Sequence, residues 1–263
     1  MSKIGTIESV WRYPVKSMRG EERDEIFVGF AGVYGDRLFA FRSSANRVGF
    51  PFLNAGEQRA LFRCQPRFRH PEKSVAPYNL AEAERISPGA TPLYPDPADL
   101  MIDIETPHGQ VYAIDDPALI DLLRAGMGDQ HEVTLLRSER ALTDCRPLSL
   151  FSVQTVRQLA AEIGTPIDQR RFRANVYLDL TSGEGFAEDQ LVHRSLRIGD
   201  KAVVSVVERD PRCSIITLDP ETGEKTPAIL KAVAQKHDGG AGIYAAVLIE
   251  GMVRRGDAVE LLD

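Results

Sequence analysis

Apolar runs of strand length, cut off again and again by Gly or Pro, set the main constraint on what this chain can fold into. Candidate strands are Ile4 to Val10, Ile26 to Val28, Leu38 to Phe41, Ala60 to Arg63, Leu100 to Ile104 and Val133 to Leu136. Further along they are Asn175 to Leu180, Leu196 to Ile198, Ala202 to Val207, Ser214 to Leu218, Ile243 to Ile249 and Ala258 to Leu262. Leu100, Ile102 and Ile104 alternate with Met101 and Asp103, the period of a half-buried strand. Three segments predict helices. Asp116 can cap one that starts at Pro117 and stops before Gly126. Ser152 can cap a second, with Val156, Leu159, Ala160 and Ile163 on one face. Thr226 and Pro227 open a third, which Gly239 and Gly240 close. Many short strands with few helices predict a mainly β protein rich in barrels, with some α. The Pro-rich stretch from Gln65 to Asp99 predicts a long loop or an irregular insertion.

The chain has 263 residues, room for one large domain or two small ones. Hydrophobic residues make up 43% and charged residues 27%, so a packed core is expected and disorder is not. A net charge of −6 argues against a nucleic-acid partner, which needs a basic surface. Arg outnumbers Lys by 25 to 7. Arg binds phosphate in a bidentate fork, although codon bias gives the same excess. Cys64, Cys145 and Cys213 form no Cys-x-x-Cys pair and no zinc spacing, which suggests a reducing compartment. Met1-Ser2-Lys3-Ile4-Gly5 has no apolar signal stretch, and the run at Ile243 to Ile249 is too short to span a bilayer. A cytoplasmic protein with no membrane partner is expected.

Four polar runs place a cation or hydroxyl beside a tight backbone feature. Tyr13-Pro14-Val15-Lys16-Ser17-Met18-Arg19-Gly20 follows the first strand, and Lys16 and Ser17 could hold an anion there. Gly35-Asp36-Arg37 precedes the strand at Leu38. Arg170-Arg171-Phe172-Arg173-Ala174-Asn175 leads into another. In Arg209-Asp210-Pro211-Arg212-Cys213 a Pro keeps the backbone extended and an Arg stands beside the thiol. A cation next to a thiol favours the thiolate, the form that binds soft metals or attacks electrophiles. Taken singly, each run also fits a solvated edge, a structural ion pair or a packed small residue.

In this order and spacing the runs resemble the MOSC family, the molybdenum cofactor sulfurase C-terminal domain and its relatives. The resemblance rests on Tyr-Pro-Val-Lys-Ser at 13–17 and Gly-Asp-Arg at 35–37. Phe-Arg-Ala-Asn at 172–175, Arg212 to Gly223 with its Asp219-Pro220-Glu221-Thr222-Gly223 turn, and Gly256-Asp257-Ala258-Val259 complete it. It covers nearly the whole chain. It implies an N-terminal β-barrel-like domain over residues 1–120 followed by a MOSC β-barrel domain over residues 121–263.

The amidoxime-reducing members of the family are the nearest parallel. They imply that Cys213 ligates molybdenum. Lys16, Ser17, Arg37, Arg173, Asn175 and Arg212 would hold the molybdenum cofactor, a molybdopterin. Arg212 and Asp144 would assist catalysis. The implied reaction removes oxygen from N-hydroxylated compounds or from N- or S-oxides, on a small-molecule substrate. A second use of the same domain is also implied: carrying sulfur, or the cofactor itself, through a Cys213 persulfide. Two departures stand out. Asp144-Cys145-Arg146 replaces an Asp-Thr-Ser run, so Cys145 is either a second thiol near the metal or a packed small residue. Asn54-Ala55-Gly56 stands where relatives often show Thr-x-Arg. No iron–sulfur spacing and no Gly-x-Gly-x-x-Gly fingerprint occurs. Electrons would therefore come from a separate protein, a ferredoxin or a b-type cytochrome with its reductase.

Overall fold

The structure, a computed structural model, describes residues 1–46, 49–87, 89–93, 95–128 and 131–262. The first strands are β1 (Ser2–Arg12), β2 (Glu21–Arg23), β3 (Glu25–Gly29) and β4 (Gly32–Val33). Next come β5 (Phe39–Ser43), β6 (Gln65–Phe68), β7 (Ile102–Glu105), β8 (Val111–Ala113) and β9 (Val133–Arg137). The last are β10 (Leu148–Ser152), β11 (Val176–Leu180), β12 (Ser195–Ile198), β13 (Ala202–Pro211), β14 (Gly240–Ile249), β15 (Gly251–Arg254) and β16 (Ala258–Leu262). Among the described residues five α-helices lie between them: α1 (Arg59–Arg63), α2 (Leu80–Ile86), α3 (Pro117–Arg124), α4 (Val153–Ile163) and α5 (Pro227–Lys236). The protein is mainly β, as the apolar pattern predicts.

The chain forms two compact units. The first joins residues Met1–Arg12 and Glu21–Tyr34 to Asp144–Asp263; the second holds Tyr13–Gly20 and Gly35–Thr143. These units interleave in sequence, whereas the resemblance implies a single cut at residue 120. The physical reason is β1, which pairs with the late strands β11 and β16 as well as with β2.

In the first unit the strand order β11-β10-β14-β13-β12-β16-β1 is closed by pairing of β1 with β11, and β2 extends β1. Closure removes the open sheet edges. Gly5 lies at the seam, opposite Leu180 of β11 and Val259 of β16. A Cβ there would fall inside 3.0 Å of the Asp179 carbonyl oxygen, so the residue must be Gly for the strands to approach. The pair β10–β11 runs parallel, and α4 supplies the crossover that a parallel pair needs.

Alternation along the strands sorts side chains into two cores. Leu148, Leu150, Val176, Leu178, Val204, Val206, Ile243 and Val259 belong to one. Phe151 and Tyr177, one position out of phase, pack in the other with Leu159 of α4 and Ile229 and Val233 of α5. The Ser152 hydroxyl caps α4 by accepting from Thr155 N–H, and Gly164 closes that helix with φ 68°. Ser152 and Thr155 also donate to the fully buried Glu188 carboxylate, which satisfies its oxygens.

The second unit contains the two-stranded sheet β5–β9 and the three-stranded sheet β6-β7-β8. Its buried side chains include Phe39, Phe41, Leu53, Leu61, Leu100, Ile102, Ile104, Leu119 and Leu123. Asp116 caps α3 by accepting from Ala118 N–H, with Pro117 in the first turn.

Three local expectations need correction. Residues 60–63 are helical, not extended: the Gln58 side chain accepts from Ala60 N–H and starts α1. Residues 214–217 form a 3₁₀ turn, tightened by Thr217 Oγ1 donating to the Ser214 carbonyl at 2.7 Å. The Gln65 to Asp99 stretch is not all loop, since it holds β6 and α2. Among the described residues no helix is long and apolar enough to cross a membrane.

Candidate functional site

The structure gathers the residues singled out from sequence into two groups, one in each unit. In the second unit the segment 13–20 docks on the strand that follows Arg37. Tyr13 N–H donates to Asp36 Oδ1 at 2.7 Å, Arg37 N–H to the Tyr13 carbonyl at 2.7 Å, and Lys16 N–H to the Phe39 carbonyl at 2.8 Å. Lys16 is buried; its Nζ donates to the Leu142 carbonyl at 2.7 Å and lies 4.6 Å from the Phe52 ring centroid. Arg37 Nη1 donates to the buried Asp36 at 2.6 Å, and its guanidinium covers the Tyr13 ring. Gly20 leaves the space that ring occupies, because a Cβ there would collide with it.

The first unit brings together two segments far apart in sequence. Arg212 Nη1 donates to the Phe172 carbonyl at 2.9 Å, and its Nε donates to the Ala241 carbonyl at 2.6 Å. Its Nη2 lies 2.8 Å from Asp210 Oδ2, close enough for an ion pair though not aligned as a hydrogen bond. Arg212 thus ties the turn before Arg173 to the start of β14. Asn175 is also buried. It joins β10 to β1, accepting from Ser149 Oγ and donating Nδ2–H to the Trp11 carbonyl, both at 3.3 Å. Arg212 and Asn175, expected to contact a cofactor, direct these bonds into the frame of their own unit.

Cys213 follows β13 with extended backbone, φ −109° and ψ −178°, and its thiol is free and exposed. The 3₁₀ turn after it is anchored by Arg171, a residue the motif reading did not select. Arg171 donates to the Thr217 carbonyl at 2.7 Å and to Asp219 Oδ2 at 2.9 Å. Its only sequence signal was membership of the Arg-rich run.

Three of the selected residues share an unusual backbone. Ser17, Arg37 and Arg173 have φ of 67°, 46° and 55°, the left-handed region that non-glycine residues rarely enter. Such conformations cost roughly 1–3 kcal/mol each and concentrate at ligand clamps and active sites.

Asp144 is exposed and within electrostatic reach of the Tyr244 phenol. Burial first, and then the charge of Asp210, push the Tyr244 hydroxyl above its ordinary range. Cys145 is exposed, not packed. Its exposed thiol donates to Glu208 Oε1 at 3.3 Å, and Arg146 holds that carboxylate at 2.8 Å. Partial burial and the Glu208 hydrogen bond push the Cys145 thiol up. Cys64 is buried, and desolvation pushes it to about 11. Among the described residues no group of three or more His, Cys, Asp or Glu side chains is arranged to hold a metal. A maleimide should therefore label Cys145 and Cys213 in the folded protein and reach Cys64 only in denaturant. Peptide mass mapping reads the order, and fast native labelling of Cys64 would contradict its placement.

The sequence profile of the MOSC domain matches residues 137–260. No curated protein matches the chain. Among solved structures, YiiM from Geobacillus stearothermophilus is 23% identical with a TM-score of 0.36, over 45% of this chain and 55% of that one. YiiM from Escherichia coli is 18% identical with a TM-score of 0.32, again over 45% and 55%. This chain thus spans little more than half the length of either YiiM. The YuaD protein from Bacillus subtilis is 15% identical with a TM-score of 0.47, over 98% of this chain and 94% of its own.

Proposed function

This chain belongs to the MOSC family through the domain at residues 137–260, and from that premise we propose that it binds a molybdenum cofactor and reduces N-hydroxylated compounds or N- and S-oxides. The observation that carries the proposal is the free, exposed thiol of Cys213, set on extended backbone just past β13. A thiolate is the soft donor that suits a metal already held by sulfur. The residues around it fit such a group. Arg173 offers a guanidinium, the side chain best shaped for a phosphate, from a left-handed turn that Arg212 fastens.

In this reading Cys213 is the metal ligand and Arg173 a phosphate contact. Lys16, Ser17 and Arg37 keep the cofactor-binding role that the resemblance implies, and the left-handed backbone of Ser17 and Arg37 supports a ligand contact there. Arg212 and Asn175 hold the frame. Asp144, exposed and within electrostatic reach of Tyr244, would assist catalysis. When bound, the cofactor supplies the two-electron chemistry; the chain supplies ligand, orientation and charge. Each turnover takes two electrons and two protons, breaks one N–O or S–O bond and releases water. The electrons come from a separate ferredoxin or b-type cytochrome with its reductase.

The test is elemental analysis of protein made in a host that synthesises the cofactor, followed by turnover of an amidoxime with a chemical reductant. About one molybdenum per chain is expected, with loss of metal when Cys213 is alkylated beforehand. A persulfide on Cys213 without metal would overturn the reductase reading in favour of the sulfur carrier.

A further inference from the structure

We propose that Asp210 is a positioning residue which, acting through Arg212, holds the Arg173 turn and the Cys213 segment in one fixed arrangement. The purpose of that arrangement rests on the reading of Cys213 as a metal ligand. The clamp itself is a property of the chain and can be measured without metal.

Asp210 is 3% exposed and sits near the end of β13, three positions before Cys213. Its carboxylate lies 2.8 Å from Arg212 Nη2, and the Arg212 side chain is itself only 7% exposed. The Tyr244 hydroxyl, presented from β14, hydrogen-bonds the same carboxylate. The surroundings are apolar. The guanidinium lies 5.2 Å from the Phe151 centroid and 5.6 Å from that of Phe172, and these two rings stack on each other at 4.2 Å.

Burying two opposite charges in such a place brings little net stability, because their desolvation offsets their attraction. What the pair provides is direction. With Nη2 drawn to Asp210, Nη1 reaches the Phe172 carbonyl and Nε the Ala241 carbonyl. The Arg212 N–H donates to the Gly239 carbonyl at 2.9 Å, which fixes the main chain of the same residue. The residue after Phe172 is Arg173, and the residue after Arg212 is Cys213. One guanidinium therefore sets the distance between the two. Gly242 completes the seat: at φ 78° it has no side chain where a Cβ would come within 2.9 Å of Arg212 Nη2.

Hydrogen exchange on the full, metal-free chain tests the clamp, and molybdenum content tests its purpose. In Asp210→Asn, amides of residues 172–175 and 212–217 should exchange about tenfold faster, while those of β12 and β16 stay at the wild-type rate. Bound molybdenum should fall about tenfold, as when the partner of a metal ligand is lost. Asp210→Glu should restore part of both. Should Asp210→Asn fail to fold, Tyr244→Phe keeps the charge pair and removes only the phenol bond; there the same amides should speed up about threefold. Unchanged exchange at 172–175 and 212–217 would overturn the proposal, and so would a uniform increase over the whole barrel. If wild-type protein takes up no molybdenum yet the local increase is seen, the cofactor reading fails and the clamp stands.

Discussion

Cys213→Ser is expected to lose bound molybdenum by about 100-fold or more, since losing even a partner of a metal ligand costs about 10- to 100-fold. Turnover of N-hydroxylated substrates should disappear with the metal. A hydroxyl is a harder, less electron-donating ligand than a thiolate. The fold should not suffer. Cys213 is exposed, its backbone is ordinary extended chain, and Ser differs from Cys little in size. Stability should stay within about 0.5 kcal/mol of wild type, as for other surface changes. Metal analysis and a thermal melt on one preparation separate the two effects. A variant that keeps its metal would move the ligand role elsewhere, and the exposed thiol of Cys145 is the next candidate.

Gly5→Ala should damage stability most for the fewest atoms added. The new methyl would fall inside 3.0 Å of the Asp179 carbonyl oxygen and 3.1 Å from Leu180 Cα, both backbone atoms of the facing strand. Backbone in a closed barrel cannot step aside as a side chain can. Overpacking of this kind costs about 3 kcal/mol, which for a chain of this size lowers the melting midpoint by roughly 5 to 10 °C. Gly49→Ala is the control, because no heavy atom lies within 4 Å of its added carbon. Far-UV circular dichroism during heating measures both. Equal midpoints for the two variants would mean that β1 does not meet β11 in the register described.

Much of the barrel was legible because its strands carry local signals. Alternating residues in β7 show its faces, and the caps Asp116 and Ser152 mark where α3 and α4 begin. The misread segments are the short ones. Four or five apolar residues have no period to measure, and a single side chain then decides the outcome, as Gln58 does for α1. Strand β10 escaped notice because Ser149 and Ser152 interrupt its apolar run. Both serines are buried to meet partners distant in sequence, Asn175 and Glu188. The site divides the same way. Cys213, Arg212 and Arg173 stand in contiguous runs that sequence displays. Asp210 and Tyr244 meet only because β13 lies beside β14 with Glu208 opposite Tyr244, and no local pattern encodes that pairing.

The seam of the barrel also fixes an order of events during synthesis. Strand β1 is made long before its partners β11 and β16, which begin at Val176 and Ala258; β2 pairs with it early, over Val10 to Arg12. At about 5 to 20 residues per second, roughly 10 to 50 seconds pass before both edges of β1 can be covered. Throughout that time residues 2 to 9 of β1 lack their strand partners, a state open to pairing with another chain. The second unit, by contrast, is complete once Thr143 has been made. The second unit is therefore finished while β1 is still loose, and the unit that carries Cys213 is the later of the two to become whole.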